Sequence, residues 1–192
     1  NANPDILLKD VVFPAASFAK IPGAKGRDRI VIPFMGGVEH FDPVERQSAV
    51  ADQDYWYPSS NMNLQMGAYY DDAGGVYYAH EDPTAGLKRI SFLGRRGDLD
   101  FAVQSTVAYP YGAKGGNAHR QRGVGAIELF SGGWFEAGQI YKRFLTEKAP
   151  WYVRELPRQE TPEWFRNNLV WFALDVKEHK LPLEKAIDNV LR

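Results

Sequence analysis

The stretch Leu64-Gln-Met-Gly-Ala-Tyr-Tyr-Asp-Asp-Ala-Gly-Gly-Val-Tyr-Tyr-Ala-His80 decides how this chain folds. Leu64, Met66, Ala68 and Tyr70 alternate with Gln65, Gly67 and Tyr69, and after the break at 71–75 Val76, Tyr78 and His80 alternate with Tyr77 and Ala79. A period of two marks a strand, because successive side chains leave a pleated backbone on opposite faces. Gly74 and Gly75 supply the positive φ that a tight connection needs, so the stretch predicts an antiparallel hairpin.

The same texture extends outward. From residue 1 to about 130 short extended runs are punctuated by Gly, Pro, Asn and Asp, an all-β pattern. Strands are expected at 87–93 and 101–108, separated by the polar turn Gly94-Arg-Arg-Gly-Asp98, and at 125–130; 29–34 and 10–13 are further candidates. Residues 109–119 read as a long Gly-rich loop and 42–54 as irregular. About seven or eight strands predict a sandwich rather than a lone sheet.

The pattern changes after Gly133. Phe135, Ile140, Tyr141, Phe144 and Leu145, with Gln139, Lys142, Arg143, Glu147 and Lys148 between them, predict an amphipathic helix ending before Pro150. A connector at 151–160 leads to Thr161-Pro-Glu-Trp-Phe-Arg166, read as a threonine N-cap with proline at the first helical position. Residues 169–174 form an unbroken apolar run, the signature of a strand buried on both faces. Leu183, Ala186, Ile187, Val190 and Leu191 then recur at helical spacing. Strand followed by helix opens a β/α fold, and a parallel neighbour for that strand needs a further crossover. The expectation is a fragment cut just after a second domain begins. Its start at Asn1, without methionine, is expected to be an edited end too.

At 192 residues, 44% apolar and 14% aromatic, the chain can bury one sizeable core and a small appendage. A net charge of −1 offers no basic field for nucleic acid or acidic lipid. The absence of cysteine removes disulfides, thiolate metal sites and a cysteine nucleophile. It suits both the cytosol and exported proteins and leaves the compartment open, a periplasmic, cell-surface or secreted setting being expected over a cytoplasmic one. No apolar run approaches the ~20 residues of a membrane span.

The four histidines lie in separate segments without HExxH spacing. His80-Glu81-Asp82 is the one cluster with ligating chemistry, but His80 and Glu81 fall on opposite faces of a strand, so it reads as a polar strand end entering the Asp82-Pro83 turn. No metal and no cofactor are expected. There is no Gly-x-Ser-x-Gly elbow, no Gly-Lys-Ser/Thr phosphate loop, and Gly123-Val-Gly125 precedes a strand rather than a helix. Asp71, Asp72, Glu81, Asp82, Asp98 and Asp100 sit mostly in turns, where aspartate bonds locally. A glycosidase needs two carboxyls about 5–9.5 Å apart, a pairing that spacing along the chain leaves open, and no catalytic residue is assigned. The aromatics Tyr55-Trp-Tyr57, Tyr69-Tyr70 and Tyr77-Tyr78 give a carbohydrate-binding composition, since sugar rings stack their C–H faces on such groups. The competing reading is that alternate members simply fill a core.

Tyr57-Pro58, Gln65, the hairpin from Ala68 to Tyr78, Glu81-Asp-Pro-Thr-Ala-Gly-Leu-Lys88, Gly133-Trp-Phe-Glu-Ala-Gly-Gln-Ile-Tyr-Lys-Arg-Phe144, Ala149-Pro-Trp151 and Pro162-Glu-Trp164 together resemble a group of uncharacterised bacterial glycoside-hydrolase-like proteins. In that group a galactose-mutarotase-like β-supersandwich precedes a catalytic (β/α)8 barrel, a layout similar to endo-α-N-acetylgalactosaminidase-type enzymes. The resemblance implies a supersandwich over 1–131, a helical linker packing on it over 132–167, and the first βα unit of a truncated barrel over 168–192. It implies a non-catalytic sandwich that braces the remaining barrel of the same polypeptide, whose catalytic carboxylates come from later strands. Carbohydrate, an oligo- or polysaccharide, is the expected partner. Candidate sugar contacts are Trp56, Tyr57 and Tyr69 for stacking and Gln65, Asp82 and Lys88 for hydrogen bonding. Two other readings compete: a stand-alone carbohydrate-binding or structural surface module, and mutarotase-like epimerisation using His80 and Asp82 as acid and base on a concave face.

Overall fold

Nine strands and two helices form among residues 3–6, 10–21, 26–43, 53–59, 61–94, 100–108, 120–154 and 161–167, the residues that the computed structural model describes. The strands are β1 (Asp10–Ala19), β2 (Arg29–Ile32), β3 (Val38–Phe41), β4 (Gln53–Tyr57), β5 (Met66–Tyr70), β6 (Gly75–Glu81), β7 (Lys88–Gly94), β8 (Asp100–Ala108) and β9 (Val124–Phe130). The helices are α1 (Trp134–Lys148) and α2 (Glu163–Arg166). The fold is mainly β and its sheets are antiparallel. One sheet has the order β1-β8-β7-β4, the other β3-β2-β5-β6-β9. The chain divides into two units, Asn1–Tyr152 with all nine strands and α1, and Val153–Arg192 with α2.

The hairpin expected over 64–80 is β5 and β6, in register from Met66 with Ala79 to Tyr70 with Gly75. Its turn is closed by the Asp71 amide donating to the Gly74 carbonyl at 2.9 Å, while the Asp71 side chain accepts from the Ala73 amide at 2.8 Å. Gly74 sits at φ +149°, and a β-carbon there would lie 2.2 Å from the Phe130 carbonyl oxygen, so the turn admits no other residue.

Alternation along this hairpin sorts its tyrosines between two cores. Tyr69 and Tyr78 join Ile30, Ile32, Tyr55, Tyr57, Met62, Ile90 and Phe92 in the buried cluster between the sheets. Met66, Ala68, Tyr70, Tyr77 and Ala79 point the other way and are covered by Ala137, Tyr141 and Phe144 of α1. The central hairpin of the five-stranded sheet is therefore buried on both faces, which is why both members of each Tyr-Tyr pair are core residues. The bland reading of the aromatics expected only alternate members inside; α1 buries the rest.

Helix α1 begins where the Gly133 amide donates to the Glu136 carboxylate at 2.8 Å. Its buried residues Ala137, Tyr141 and Phe144 are spaced four and three apart, one stripe on one face. It ends at Lys148, with the Ala149 amide still bonded to the Leu145 carbonyl at 3.3 Å and Pro150 unable to continue.

Three features differ from the sequence reading. Strands β3 and β4 form where the sequence predicts none, or only an aromatic cluster; β3 is four residues with Glu39 and His40 at its centre, too short and polar to show a period. Strand β1 runs ten residues instead of four, because Pro14 and a register shift between Val12 and Ala15 interrupt its alternation without ending the strand. Thr161 makes no cap: α2 starts a residue later, with Pro162 at the N-cap and its carbonyl receiving the Phe165 and Arg166 amides. The expected strand and helix within 168–192 and the Gly-rich loop 109–119 lie outside the described residues.

Two glycine substitutions should move stability in opposite directions. A β-carbon on Gly67 would lie 2.6 Å from the buried Phe92 ring, so Gly67→Ala is expected to destabilise by about 1–3 kcal/mol. Gly138 in α1 has nothing within 4 Å of that position, so Gly138→Ala should stabilise by roughly 0.5–1 kcal/mol. Urea midpoints with unchanged slopes check both.

Candidate functional site

Strand β6 leaves the sheet at Glu81, and the loop Asp82-Pro-Thr-Ala-Gly86 turns the chain back towards β7. The Asp82 carboxylate organises this loop. One oxygen accepts from the Thr84 amide at 2.8 Å and the Thr84 hydroxyl at 2.7 Å; the other accepts from the Gly86 amide at 3.0 Å and from Lys88 Nζ at 3.4 Å. Ala85 takes φ +52° to complete the turn.

Lys88 opens β7 opposite Tyr57 of β4, and both side chains turn into the space between the sheets. Only 1% of Lys88 is exposed. A buried ammonium has three N–H donors to satisfy, and three acceptors meet them: Gln65 Oε1 at 2.6 Å, the Gly86 carbonyl at 2.7 Å and Asp82 Oδ2 at 3.4 Å. The Tyr57 ring lies 4.7 Å from Nζ, adding a cation–π contact. Gln65 is equally committed. Its Nε2 donates to the Asp82 carbonyl at 3.1 Å, its Oε1 also accepts the Asp82 amide at 3.3 Å, and its own amide donates to the Tyr141 hydroxyl of α1 at 3.2 Å.

Burial is the main force on the Lys88 ammonium, and although Asp82 opposes it, the pKa falls from 10.5 to about 8. Burial also pushes the Asp82 carboxyl up, but the Thr84 donors, Lys88 and the Gly86 amide outweigh it together and hold the group below 3.8. The loop therefore stabilises a carboxylate, and the lysine bears the desolvation. His80 is fully buried beside this cluster, its Nε2 2.8 Å from the Arg122 carbonyl. Burial lowers its pKa despite that carbonyl, which leaves a neutral ring donating from Nε2.

Four of the six candidate sugar contacts, Tyr57, Gln65, Asp82 and Lys88, are thus brought together, in a buried cluster whose polar groups satisfy one another. Tyr69 lies apart in the inter-sheet core, its hydroxyl donating to the buried Asp28 carboxylate at 2.7 Å. Trp56 is the exposed one, at 42%, on the outer face of the four-stranded sheet and paired with Arg89 in the register. Sequence reasoning missed Tyr141, Thr84 and Gly86 as partners of this cluster. A signal was present: Asp-x-Thr-x-Gly after a strand is a local aspartate turn. Among the described residues no group of three or more His, Asp or Glu comes within metal-ligating range, and no helix is long and apolar enough to cross a membrane.

With this geometry in view, likeness to known proteins adds one direction. Over 137 residues the chain is 26% identical to a Monosiga brevicollis protein named "Putative glycoside hydrolase 22789". The similarity is to a glycoside-hydrolase-like protein. It covers 60% of this chain and 10% of that protein, so the chain spans about a tenth of the relative's length. No family model and no solved structure matches the chain.

The cluster predicts a pH dependence with a definite sign. Between about 8 and 10.5 the unfolded chain holds a proton that folded Lys88 has lost, so stability should rise with pH across that window. His80, depressed below 6.5, and Asp82, depressed below 3.8, each contribute stability above those values that is lost as pH falls through their folded pKa. Urea unfolding as a function of pH checks this. Lys88→Met should flatten the alkaline rise and, by leaving Asp82 buried without its cation, lower stability by about 3–5 kcal/mol at pH 7.

Proposed function

We propose that this chain is the non-catalytic β-sandwich part of a carbohydrate-active protein, of glycoside-hydrolase type, that braces a catalytic barrel of the same polypeptide and lends it a glycan contact. In this reading the two stacked sheets are a galactose-mutarotase-like supersandwich and residues 168–192 open the (β/α)8 barrel. The observation that carries the bracing role is the Lys88 cluster. Its charged groups are spent on one another behind the protein surface, the arrangement of a scaffold rather than of a pocket that exchanges protons with substrate. The likeness to a glycoside-hydrolase-like protein supports the carbohydrate setting.

Trp56 is the stacking residue of this proposal. Tyr57, the next residue, is clamped over Lys88, so the buried cluster fixes the strand that presents the indole. Tyr57, Gln65, Asp82 and Lys88 then serve sugar binding by holding β4 in place, and Tyr69 by filling the core beneath. The exposed Trp56 equally favours a second reading, a stand-alone carbohydrate-binding module, which differs in needing no barrel. The epimerase alternative loses its machinery, because His80 and Asp82 are both buried, with His80 on a backbone carbonyl and Asp82 saturated by four donors.

The test is a glycan array followed by calorimetry on the 192-residue chain. Trp56→Ala should weaken binding at least about tenfold, the scale of one lost aromatic stacking contact, with the melting temperature unchanged. Silence of the unmutated chain across neutral and acidic glycans, or binding that survives Trp56→Ala, would count against the stacking role.

A further inference from the structure

The two sheets of the sandwich end in four edge strands, and three of them are protected. Strand β1 carries Pro14 and a register irregularity, β3 is only four residues with Glu39 and His40, and β4 is five residues followed directly by Pro58. Short length, charge, proline and bulges are the usual devices that keep a sheet edge from pairing with another chain. Strand β9 has no proline, no bulge and no short length, and its single charge, Glu128, is tied to α1. It runs seven residues, Val124-Gly-Ala-Ile-Glu-Leu-Phe130, is paired on one side by β6, and on its other side has no partner among the described residues.

Its side chains are also uncovered. Ile127 and Leu129 lie on the face that looks towards the opposing sheet, beside Tyr78 and Val76 of β6. They are 53% and 79% exposed, and among the described residues the opposing sheet ends at β1. On β1, Val12 and Phe13 beside Pro14 add to the apolar strip, while Val124 lies on the other face of β9, opposite Glu81. Pro14 sits directly on Gly125, within 2.5 Å of where a β-carbon would be, so the strip is continuous from one edge to the other. The one charge of β9, Glu128, is already paired with Arg143 of α1 at 2.6 Å.

We propose that β9 is a self-pairing edge through which two copies of this chain form a two-fold dimer, joining their five-stranded sheets into one ten-stranded sheet. The strand is complementary to itself about Ile127. Antiparallel pairing centred there sets Ile127 against Ile127 of the second copy, Leu129 against Gly125, Glu128 against Ala126 and Phe130 against Val124. Each bulky residue on the uncovered face then meets a small one or its own apolar copy, and no like charges face each other. Leu129 of one copy seats beside Gly125 of the other, against the apolar strip that Phe13 and Pro14 border. The occupant is a second copy rather than an unrelated peptide because this register satisfies shape and charge without any residue outside the chain.

Sedimentation equilibrium of the full 192-residue chain tests this. The chain should sediment as a concentration-dependent dimer. Ile127→Lys and Ile127→Glu, each placing like charges across the two-fold axis, should both be monomeric while keeping the far-UV spectrum and melting temperature, since the position is exposed. Mixing the two variants should restore a dimer, because position 127 faces itself only in this register. A monomeric unmutated chain, higher aggregates without a dimer boundary, a dimer untouched by Ile127→Lys, or variants that fail to recombine would each overturn the proposal.

Discussion

Everything in the first unit converges on one ammonium group. Lys88 Nζ lies between two β-sheets with 1% of its residue exposed, and a charge in that position is tolerable only if each of its protons finds an acceptor at good distance. Gln65, Gly86 and Asp82 are those acceptors, the first from the segment entering β5 and the other two from the loop after β6. Satisfying one cation therefore fixes the segment entering β5, the loop joining the two sheets and the first residue of β7. Through Tyr57 it also fixes β4, and through the hydroxyl of Tyr141 the helix on the far side. An apolar residue could fill the same volume, but it would not demand this arrangement.

Around that point the sandwich is built by burying tyrosine. The central hairpin contributes Tyr69, Tyr70, Tyr77 and Tyr78, and each hydroxyl has a partner: Asp28, Glu39, Glu81 and the Pro14 carbonyl. Burial raises the pKa of all four, so they remain protonated donors at neutral pH. Large amphipathic rings suit a sheet covered on both faces, because the ring fills the layer and the hydroxyl ties it to an edge or loop. The layer is complete under α1 and incomplete at β9, where the five-stranded sheet outruns its partner. The same stacking that gives the unit its core thus leaves one bare strand.

Much of this architecture could be read from residues alone. The hairpin, β7, β8, β9 and α1 each have a clean period, and the polar turn residues mark their ends. What hid was what lacks a period: β3 with four residues, and β1 with a proline and a bulge in its middle. The site behaved differently. Tyr57, Gln65, Asp82 and Lys88 stood out as polar or amphipathic residues in a strand-rich region and do converge in space. A lysine or glutamine in such a stretch reads as solvent-facing, because most are; that Lys88 points inwards depends on its pairing with Tyr57 across β4 and β7, a non-local fact. Trp56 is the reverse, an apolar residue left outside because its neighbours on both sides hold the inward positions.

The Lys88 ammonium is closed off from water and held by its three acceptors. Heteronuclear NMR of the lysine side chains, followed through a pH titration, tests it most directly. A Lys88 resonance that titrates near 8, distinct from the other lysines, with slowly exchanging Nζ protons, is the result expected of a buried, desolvated cation. A Lys88 that titrates at 10.5 with fast-exchanging protons would show a solvated side chain and contradict the account.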